Sequence, residues 1–432
     1  MPLMNSTGAF KQQKNFVTTV PIIGQQWIAQ YTTSATNVIY NQPVASGDTY
    51  ILWDNNVIKL NSDGNKTFAN QYSVYVNAFC SCYDSSNNLF VGGQIDGSAG
   101  VIKYDSSGNI VWQKQFGTVY SVISVQSGAS GDVLVLTGDI SPVNGFFGPY
   151  VLWRINSSGT VINQRKLLKP TTTSVTNMYV DNANSKLYVT GTDFTTPSRG
   201  QIITGTYGLT NNDTASQMVI QYSGTDSYLT AAASYIAQTI VSDSTYLYQV
   251  GYRVISGTTH SVYMKINSST GAVSYSNSIV IGGVSCTING ITSDNANYIF
   301  VYGNISSSDT GSGFVSKIRM SDGVIIWTKK LGSSNQYIWN MQYSGGFLYI
   351  TTERVTGGYR GAVIKLNSDG SLPDGTYGSN WVFATVTATA TAYNPFYATT
   401  TTGSTSTTAY SSAAAANSVT TASITVTTTN IP

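Results

Sequence analysis

Short apolar stretches alternate with polar turns along most of the chain, and the same combination recurs at intervals. Residues 101–117 show the unit: a strand with alternating side chains, a polar turn that contains Gly108, and a returning strand that carries Trp112. Alternation with a period of two predicts β-strands, and a glycine in a tight turn between two strands predicts a hairpin. The pattern therefore predicts antiparallel hairpins.

Two independent features repeat seven times in the same order. The first is a turn glycine, and consecutive turn glycines lie 44 to 63 residues apart: Gly64, Gly108, Gly159, Gly208, Gly271, Gly323 and Gly370. The second is a short apolar strand upstream of each turn, as at residues 89–93 and 299–303. Four strands are predicted in the second unit, at residues 76–82, 89–92, 101–104 and 110–115. The wide spacing around Gly208 predicts a longer outer hairpin in the fourth unit.

A repeat of about 40–50 residues with four strands is typical of a β-propeller blade. The sequence therefore predicts an all-β fold, a seven-bladed β-propeller over residues 30–390 with extended N- and C-terminal arms. Residues 1–29 are polar and predict an arm that becomes ordered against a partner.

The C-terminal arm, residues 391–432, is rich in Thr, Ala and Ser, and alternation is strict at 385–393 and 423–427. Alternation favours extended strands that pair with the sheet edge of another chain. The same composition is also typical of a disordered linker. Both interpretations stay open.

Charged residues make up only 9% of the chain, with a net charge of +2, against about 25% charged residues in ordinary domains. The densest basic cluster, Arg165, Lys166 and Lys169, indicates a solvated edge rather than a nucleic-acid surface. No stretch reaches the roughly 18 apolar residues of a membrane span. The N-terminus has no apolar core of a secretory signal, which predicts a cytosolic protein or one released without signal cleavage.

Candidate chemistry is sparse. His260 is the single histidine and Glu353 the single glutamate, and catalytic triads need a histidine base. His260 is predicted in a loop of the fifth blade, and most Asp residues occupy turn positions. Cys80, Cys82 and Cys286 lack the spacing of a disulfide framework and predict buried free thiols. We therefore expect no enzyme, no metal and no cofactor.

Residues 364–381, IKLNSDGSLPDGTYGSNW, resemble the delta-60 repeat, and residues 264–271, MKINSSTG, resemble SBBP-type propeller repeats. This resemblance covers the seven units and implies a β-propeller but little about activity. Trp112 and Trp327 each follow a turn glycine by four positions and resemble the docking tryptophans of quinoprotein propellers, which fasten adjacent blades. The composition of the whole chain resembles that of bacteriophage virion proteins.

Loops between the second and third strands of propeller blades emerge on one face. These loops are predicted at residues 94–100, 139–149, 192–200, 252–260, 304–313 and 353–361. Exposed aromatic and arginine residues are enriched at binding hot spots, although ordinary loop variability gives the same pattern. The candidate binding residues are Phe146, Phe147, Phe194, Arg199, Arg253, Arg354, Tyr359 and Arg360.

Together these patterns predict a non-enzymatic structural protein of a bacteriophage virion, a platform in the tail, nozzle, fibre or capsid surface. We expect multiple copies in a symmetric assembly, with arms docked to other virion subunits and a loop face that contacts a host-surface glycan. The predicted location is the virion. The alternative is a bacterial adhesin or glycan-binding propeller at the cell surface. An enzyme is the third hypothesis.

Overall fold

β-Strands form every regular element in the part of the chain that the structure describes, and they pair antiparallel except where Ser312 and Gln336 make a parallel contact. This computed structural model describes residues 17–21, 26–32, 40–53, 56–72, 76–95, 98–117, 120–128, 131–139, 150–167, 173–182, 186–193, 199–206, 218–224, 235–243, 245–255, 258–305, 312–332, 336–354, 360–377, 381–392, 396–401 and 428–430. None of the elements among them is a helix that could cross a membrane. The all-β prediction is confirmed.

Two strands precede the first repeat: β1 (Val17–Pro21) and β2 (Trp27–Thr32). Unit 1 contains β3 (Tyr40–Pro43), β4 (Thr49–Trp53), β5 (Asn56–Leu60) and β6 (Lys66–Tyr72). Unit 2 contains β7 (Val76–Tyr83), β8 (Leu89–Ile95), β9 (Ser98–Tyr104) and β10 (Ile110–Gly117). Unit 3 contains β11 (Tyr120–Ser127), β12 (Val133–Asp139), β13 (Tyr150–Ile155) and β14 (Val161–Leu167).

Unit 4 contains β15 (Thr173–Asp181), β16 (Lys186–Asp193), β17 (Arg199–Thr206) and β18 (Met218–Gly224). Unit 5 contains β19 (Tyr235–Ser242), β20 (Tyr246–Ile255), β21 (Thr258–Asn267) and β22 (Val273–Ile281). Unit 6 contains β23 (Val284–Ser293), β24 (Tyr298–Ile305), β25 (Ser312–Arg319) and β26 (Ile325–Leu331). Unit 7 contains β27 (Gln336–Ser344), β28 (Phe347–Arg354) and β29 (Arg360–Asn367).

Five short strands follow: β30 (Gly375–Tyr377), β31 (Trp381–Thr385), β32 (Ala388–Ala392), β33 (Phe396–Thr401) and β34 (Thr428–Asn430). Within each unit, consecutive strands pair antiparallel. The four strands predicted in unit 2 are all present, each lengthened by up to three residues at an end. The predicted longer hairpin of unit 4 falls at residues 207–217, outside the described residues.

Unit 7 takes its fourth strand from the beginning of the chain. Strand β2 pairs antiparallel with β29, placing Trp27 opposite Lys365, and β1 then pairs with β2. The first strand of each unit also contacts the first strands of the units before and after it, and β27 of unit 7 contacts β3 of unit 1. The predicted boundary at residue 29 therefore cuts through β2.

The apolar core lies between neighbouring units rather than within one sheet. Tyr50 and Leu52 of unit 1 pack with Leu89 and Ile102 of unit 2, and the same kind of cluster joins units 2 and 3, 3 and 4, 5 and 6, and 6 and 7. A further cluster joins Trp27 and the last unit to the first. A sheet with two apolar faces buries both only when another sheet lies on each side.

A lysine near the end of the third strand bonds each of several units to the next. Its ammonium donates to a backbone carbonyl in the turn that follows the third strand of the next unit. These bonds are Lys59 to Ser106 (3.3 Å), Lys103 to Ser157 (3.3 Å), Lys265 to Met320 (3.1 Å), Lys317 to Ser368 (3.1 Å) and Lys365 to Ser62 (2.7 Å). In unit 3 the corresponding residue, Arg154, bonds Asp132 instead. We call these five bonds the lysine latches.

An aromatic side chain four residues after the turn glycine packs on the turn glycine of the next unit. The Trp112 indole donates to the Ser157 carbonyl at 3.1 Å, and a Cβ on Gly159 would lie 2.8 Å from the ring. Trp327 packs against Gly370 in the same way. Both tryptophans thus contact the next unit, as their resemblance to docking tryptophans implies. For unit 7 the indole comes from Trp27, which donates to the Ser62 carbonyl at 3.0 Å.

The C-terminal segment adds strands to the outer edges of sheets in its own chain. Strand β31 pairs with β26 of unit 6, β32 with β22 of unit 5, β33 with β18 of unit 4 and β34 with β6 of unit 1. The alternating stretch predicted at residues 385–393 contains β32, whereas the one predicted at 423–427 lies outside the described residues. The partners of the added strands are edges of the same chain, and pairing with another molecule stays a prediction.

Candidate functional site

The predicted binding residues fall, in sequence, between the second and third strands of a unit or at the ends of those strands. Phe146, Phe147, Phe194 and Tyr359 fall outside the described residues. The structure places the backbone of the four predicted arginines in strands: Arg199 in β17, Arg253 in β20, Arg354 in β28 and Arg360 in β29.

The prediction of long loops at these arginines is wrong, because the hairpin ladders continue beyond the apolar stretches. Arg253 lies opposite His260, and Arg354 lies opposite Arg360, each pair in an antiparallel register. Ladder hydrogen bonds use backbone groups and need no apolar side chain. Arg199 lies opposite Asp193 in unit 4, away from both pairs in sequence and sheet.

Unit 7 therefore brings two predicted residues, Arg354 and Arg360, to one hairpin end. The first strand of this unit begins beside them, because Gln336 lies opposite Arg354 and Tyr337 lies opposite Glu353. We call this region of unit 7 the hairpin end. Two aromatic residues that were not predicted, Tyr337 and Trp339, stand on β27 close to it.

The rings of Tyr337 and Trp339 form an adjacent pair. Their centroids are 6.4 Å apart and their planes are inclined by 46°. Trp339 is 44% exposed, whereas Trp27 is 1% and Trp153 is 3% exposed. Tyr337 is half-buried. An indole that remains outside the core in a chain that buries other indoles is a candidate for ligand contact.

A β-bulge sets the orientation of Trp339. The register between β27 and β28 shifts between Ile338 and Asn340, so Trp339 has no opposite residue. The first strands β7, β11, β15, β19 and β23 show the same shift against their second strands. A bulge turns a side chain out of the alternating pattern of its strand. This irregularity is why alternation in the sequence did not single out Trp339.

Side-chain amides hold the backbone on both sides of Trp339. Asn289 donates from Nδ2 to the carbonyl of Ile338 at 2.9 Å, and Asn340 donates to the carbonyl of Asn41 at 3.3 Å. These bonds cross from unit 6 to unit 7 and from unit 7 to unit 1. Trp339 therefore projects from a backbone that neighbouring units hold in place.

The remaining candidate chemistry is structural in character. His260 is half-buried within β21, so its predicted loop position is wrong. The three cysteines are free; Cys82 and Cys286 are buried, and Cys80 is partly buried. Burial raises the pKa of Cys286 to about 12 and that of Cys80 further, so neither forms a thiolate readily at neutral pH. Among the described residues, no cluster of three or more His, Cys, Asp or Glu side chains could hold a metal ion.

No family model and no curated protein matches the chain in sequence. Solved structures do match it in fold. The extracellular region of plexin A4 aligns with a TM-score of 0.50 at 9% identity, over 77% of this chain and 50% of that one. Virginiamycin B lyase from Staphylococcus aureus aligns with a TM-score of 0.49 at 12% identity, over 78% and 99%. A putative 6-phosphogluconolactonase from Bacteroides uniformis gives 0.41 at 10%, over 71% and 82%.

The fold is β-propeller-like. This agrees with the sequence prediction of an all-β, propeller-like fold. No match supports the resemblance to SBBP repeats or to bacteriophage proteins.

The expectation that the chain is not an enzyme is contradicted by the same matches, because a lyase and a lactonase are among the proteins with a similar structure. At such low identity the likeness concerns the fold alone and assigns neither activity to this chain.

Proposed function

We propose that the protein is a rigid platform of a bacteriophage particle, a seven-bladed propeller closed into a ring. Units 1–7 are the seven blades in this proposal, and β2 completes the seventh. The observation that carries it is the joint between the last unit and the first. Lys365 and Trp27 both donate to the carbonyl of Ser62, as Lys103 and Trp112 donate to Ser157 between units 2 and 3.

Ring closure gives this platform its rigidity. A sheet at the end of an open stack exposes one apolar face, and closure covers both end faces. Tyr349 of unit 7 supports the joint, because its ring packs against Trp27 and its hydroxyl donates to the Gly47 carbonyl at 3.0 Å. A rigid ring holds its hairpin ends at fixed positions for contact with another molecule.

The assignment to a virus particle rests on composition and on strand pairing. Charged residues are few, at 9%, and Ser, Thr, Asn and Tyr are abundant. Terminal strands that cover outer sheet edges in one chain use the same backbone bonds that join subunits by strand addition. In the proposed assembly, several copies are arranged symmetrically and their terminal segments contact neighbouring subunits.

Immunogold electron microscopy of particles from a lysate that contains the protein tests this role. We expect the antibody against the purified chain to label one structure on every particle, and we expect the chain to co-sediment with particles at a constant copy number. A chain that stays in the soluble fraction, with unlabelled particles, would overturn the proposed location.

The second candidate is a glycan-binding propeller, either on the particle or at a bacterial surface. The exposed indole of Trp339 beside Tyr337 favours it, because stacking aromatics are common at recognition sites. Binding to a glycan array would support this function whether or not the chain is part of a particle.

A further inference from the structure

We propose that the outer edges of units 3 and 2, formed by β14 and β10, bind residues 402–427 of the same chain as added strands. These residues join β33 to β34. The proposal goes beyond the function proposed above and does not depend on the assignment to a particle.

Five of the seven units carry a fifth strand in the part of the chain that the structure describes. Strand β1 covers the outer edge of unit 7, β31 that of unit 6, β32 that of unit 5, β33 that of unit 4 and β34 that of unit 1. All five run antiparallel to the strand that they cover. Among the described strands, the sheets of units 2 and 3 end at β10 and β14. The backbone groups along a terminal strand favour the addition of another strand.

The C-terminal segment follows the units in an order that leads to these two edges. Strands β31, β32 and β33 lie on units 6, 5 and 4, so each step moves to the unit that precedes in the chain. The next described strand, β34, lies on unit 1. From unit 4 the same direction passes units 3 and 2 before it reaches unit 1. The opposite direction leads past edges that β32, β31 and β1 already cover.

The length of the connecting segment fits two further strands. Strands β31, β32 and β33 begin at residues 381, 388 and 396, so the chain uses about eight residues for each unit. The connections between them are only residues 386–387 and 393–395. Residues 402–427 number 26, which is more than the roughly 16 to 20 that two units need at this spacing.

The amino acids of the connecting segment suit an added strand. Strand β32 consists of Ala and Thr alone, and β33 has the sequence FYATTT. Residues 402–427 are mostly Thr, Ser and Ala, and they include no proline and no charged residue. A proline would remove a donor from the ladder, and charged side chains are a common means of preventing pairing at an edge.

Hydrogen–deuterium exchange of the purified full-length chain tests the proposal. We expect β10 and β14 to exchange as slowly as β18, whose edge β33 covers. The matched variant replaces residues 402–427 with a Gly/Ser segment of the same length, which is flexible and keeps β33 and β34 in the chain. In this variant, exchange in β10 and β14 should become at least about tenfold faster. Unchanged exchange in the internal strands β8 and β12 shows that both sheets remain folded.

Photocrosslinking identifies the segment that lies on each edge. Val111 on β10 and Ile162 on β14 are 51% and 43% exposed, so benzoylphenylalanine can replace either of them. We expect both probes to crosslink to residues 402–427. Ile326 on β26 is the matched control, because the amide of Val386 donates to the carbonyl of the nearby Thr328 at 3.2 Å. A probe at Ile326 should therefore label residues close to 386.

Equal exchange of β10 and β14 in the two chains overturns the proposal, whether it is slow in both or fast in both. Crosslinks from Val111 and Ile162 that map only outside residues 402–427 overturn it as well. On denaturing gels the crosslinked product should migrate as a monomer, and a crosslinked dimer would show that a second copy supplies the strands instead. Because these experiments use the purified chain, immunogold labelling of particles remains a separate test of the platform.

Discussion

Lys365 donates a hydrogen bond of 2.7 Å to the carbonyl oxygen of Ser62, which lies 303 positions earlier in the chain. Lys365 is 1% exposed, and burial lowers the pKa of its ammonium. The ring of Phe347 lies 4.2 Å from its Nζ. The last unit is therefore joined to the first by a bond of the same kind as those between consecutive units.

Replacing Lys365 with Met removes this bond and keeps most of the side-chain volume. We expect the free energy of unfolding to fall by about 2 kcal/mol, the usual range for a hydrogen bond that involves a charged group. Chemical denaturation measures the change. Lys66→Met is the control, because Lys66 is exposed and its loss should change stability by less than about 0.5 kcal/mol. Equal midpoints for both variants would count against the latch.

Substitution of Gly159 should lower the stability of the protein more than substitution of Gly282. Both have a positive φ, 85° and 59°, but a Cβ on Gly159 would lie 2.8 Å from Trp112 while one on Gly282 meets nothing within 4 Å. Each alanine substitution costs about 1–2 kcal/mol from the left-handed backbone. We expect Gly159→Ala to cost about 1–3 kcal/mol more, from overpacking against the indole. Thermal unfolding compares the two, and similar losses would contradict the packing explanation.

Gln249 marks a position where the chain is less stable than it could be. Its side chain is fully buried, and neither of its amide atoms has a hydrogen-bond partner in the structure. Unit 6 carries Val301 at the corresponding position of its second strand. We expect Gln249→Val to raise the free energy of unfolding by about 1 kcal/mol. Gln115→Val, which removes a 3.0 Å bond to the Ile95 carbonyl, should lower it in the same assay.

Asp374 should make the start of the C-terminal segment sensitive to acid. The ammonium of Lys329, together with the amide and hydroxyl of Thr385, lowers the pKa of Asp374 from 3.8 to about 2. A carboxylate whose pKa is lowered in the folded state stabilises the fold at pH values above its ordinary pKa. It loses that contribution as the pH falls through about 2. The unfolding midpoints of the unaltered chain and of Asp374→Asn should therefore converge between pH 4 and pH 2. A constant difference over that range would contradict the assignment.

We expect a designed disulfide between β32 and β22 to form within one chain. Ser278 and Thr391 lie opposite each other, and opposite residues of antiparallel strands have Cα atoms about 4.5–5.5 Å apart, within reach of a disulfide. Oxidation of Ser278→Cys with Thr391→Cys should give a crosslinked monomer on denaturing gels. The out-of-register control, Ser278→Cys with Thr389→Cys, should crosslink poorly. A crosslinked dimer would instead show that this strand pairs with another molecule.

Repeated local features could be predicted from the sequence because each one depends on short-range chemistry. Gly108 is in a turn with φ of 84°, as expected for glycine after three polar residues, and the amide groups of Ser107 and Asn109 donate to the Asp105 carboxylate. The contact of Trp112 with the next unit was expected from the resemblance of Trp112 and Trp327 to docking tryptophans, and not from the local pattern. The turn features carry their signal within about ten residues.

Features that join distant segments of the chain could not be predicted from a local sequence pattern. The lysine latches connect side chains to backbone carbonyls, and a carbonyl is present at every residue, so the sequence cannot reveal the acceptor. The pairing of β32 with β22 depends on the curvature and order of the sheets, which alternation alone does not encode. Trp339 was missed because a bulge interrupts its alternation, and Arg354 was placed in a loop because its strand continues without apolar residues.

Completion of the last unit also constrains how the chain folds during synthesis. The amide of Asn367 donates to the side chain of Gln26, 341 positions away. Strand β2 pairs with β1 on one side, but its partner on the other side, β29, is absent until it has left the ribosome. At about 5–20 residues per second, that delay is roughly 20–70 s. Trp27, one of the most buried aromatic residues of the finished protein, lacks its contacts with Tyr349 and Lys365 of the last unit for most of that time. Chaperones that shield apolar N-terminal segments would therefore raise the yield of this protein more than its thermodynamic stability suggests.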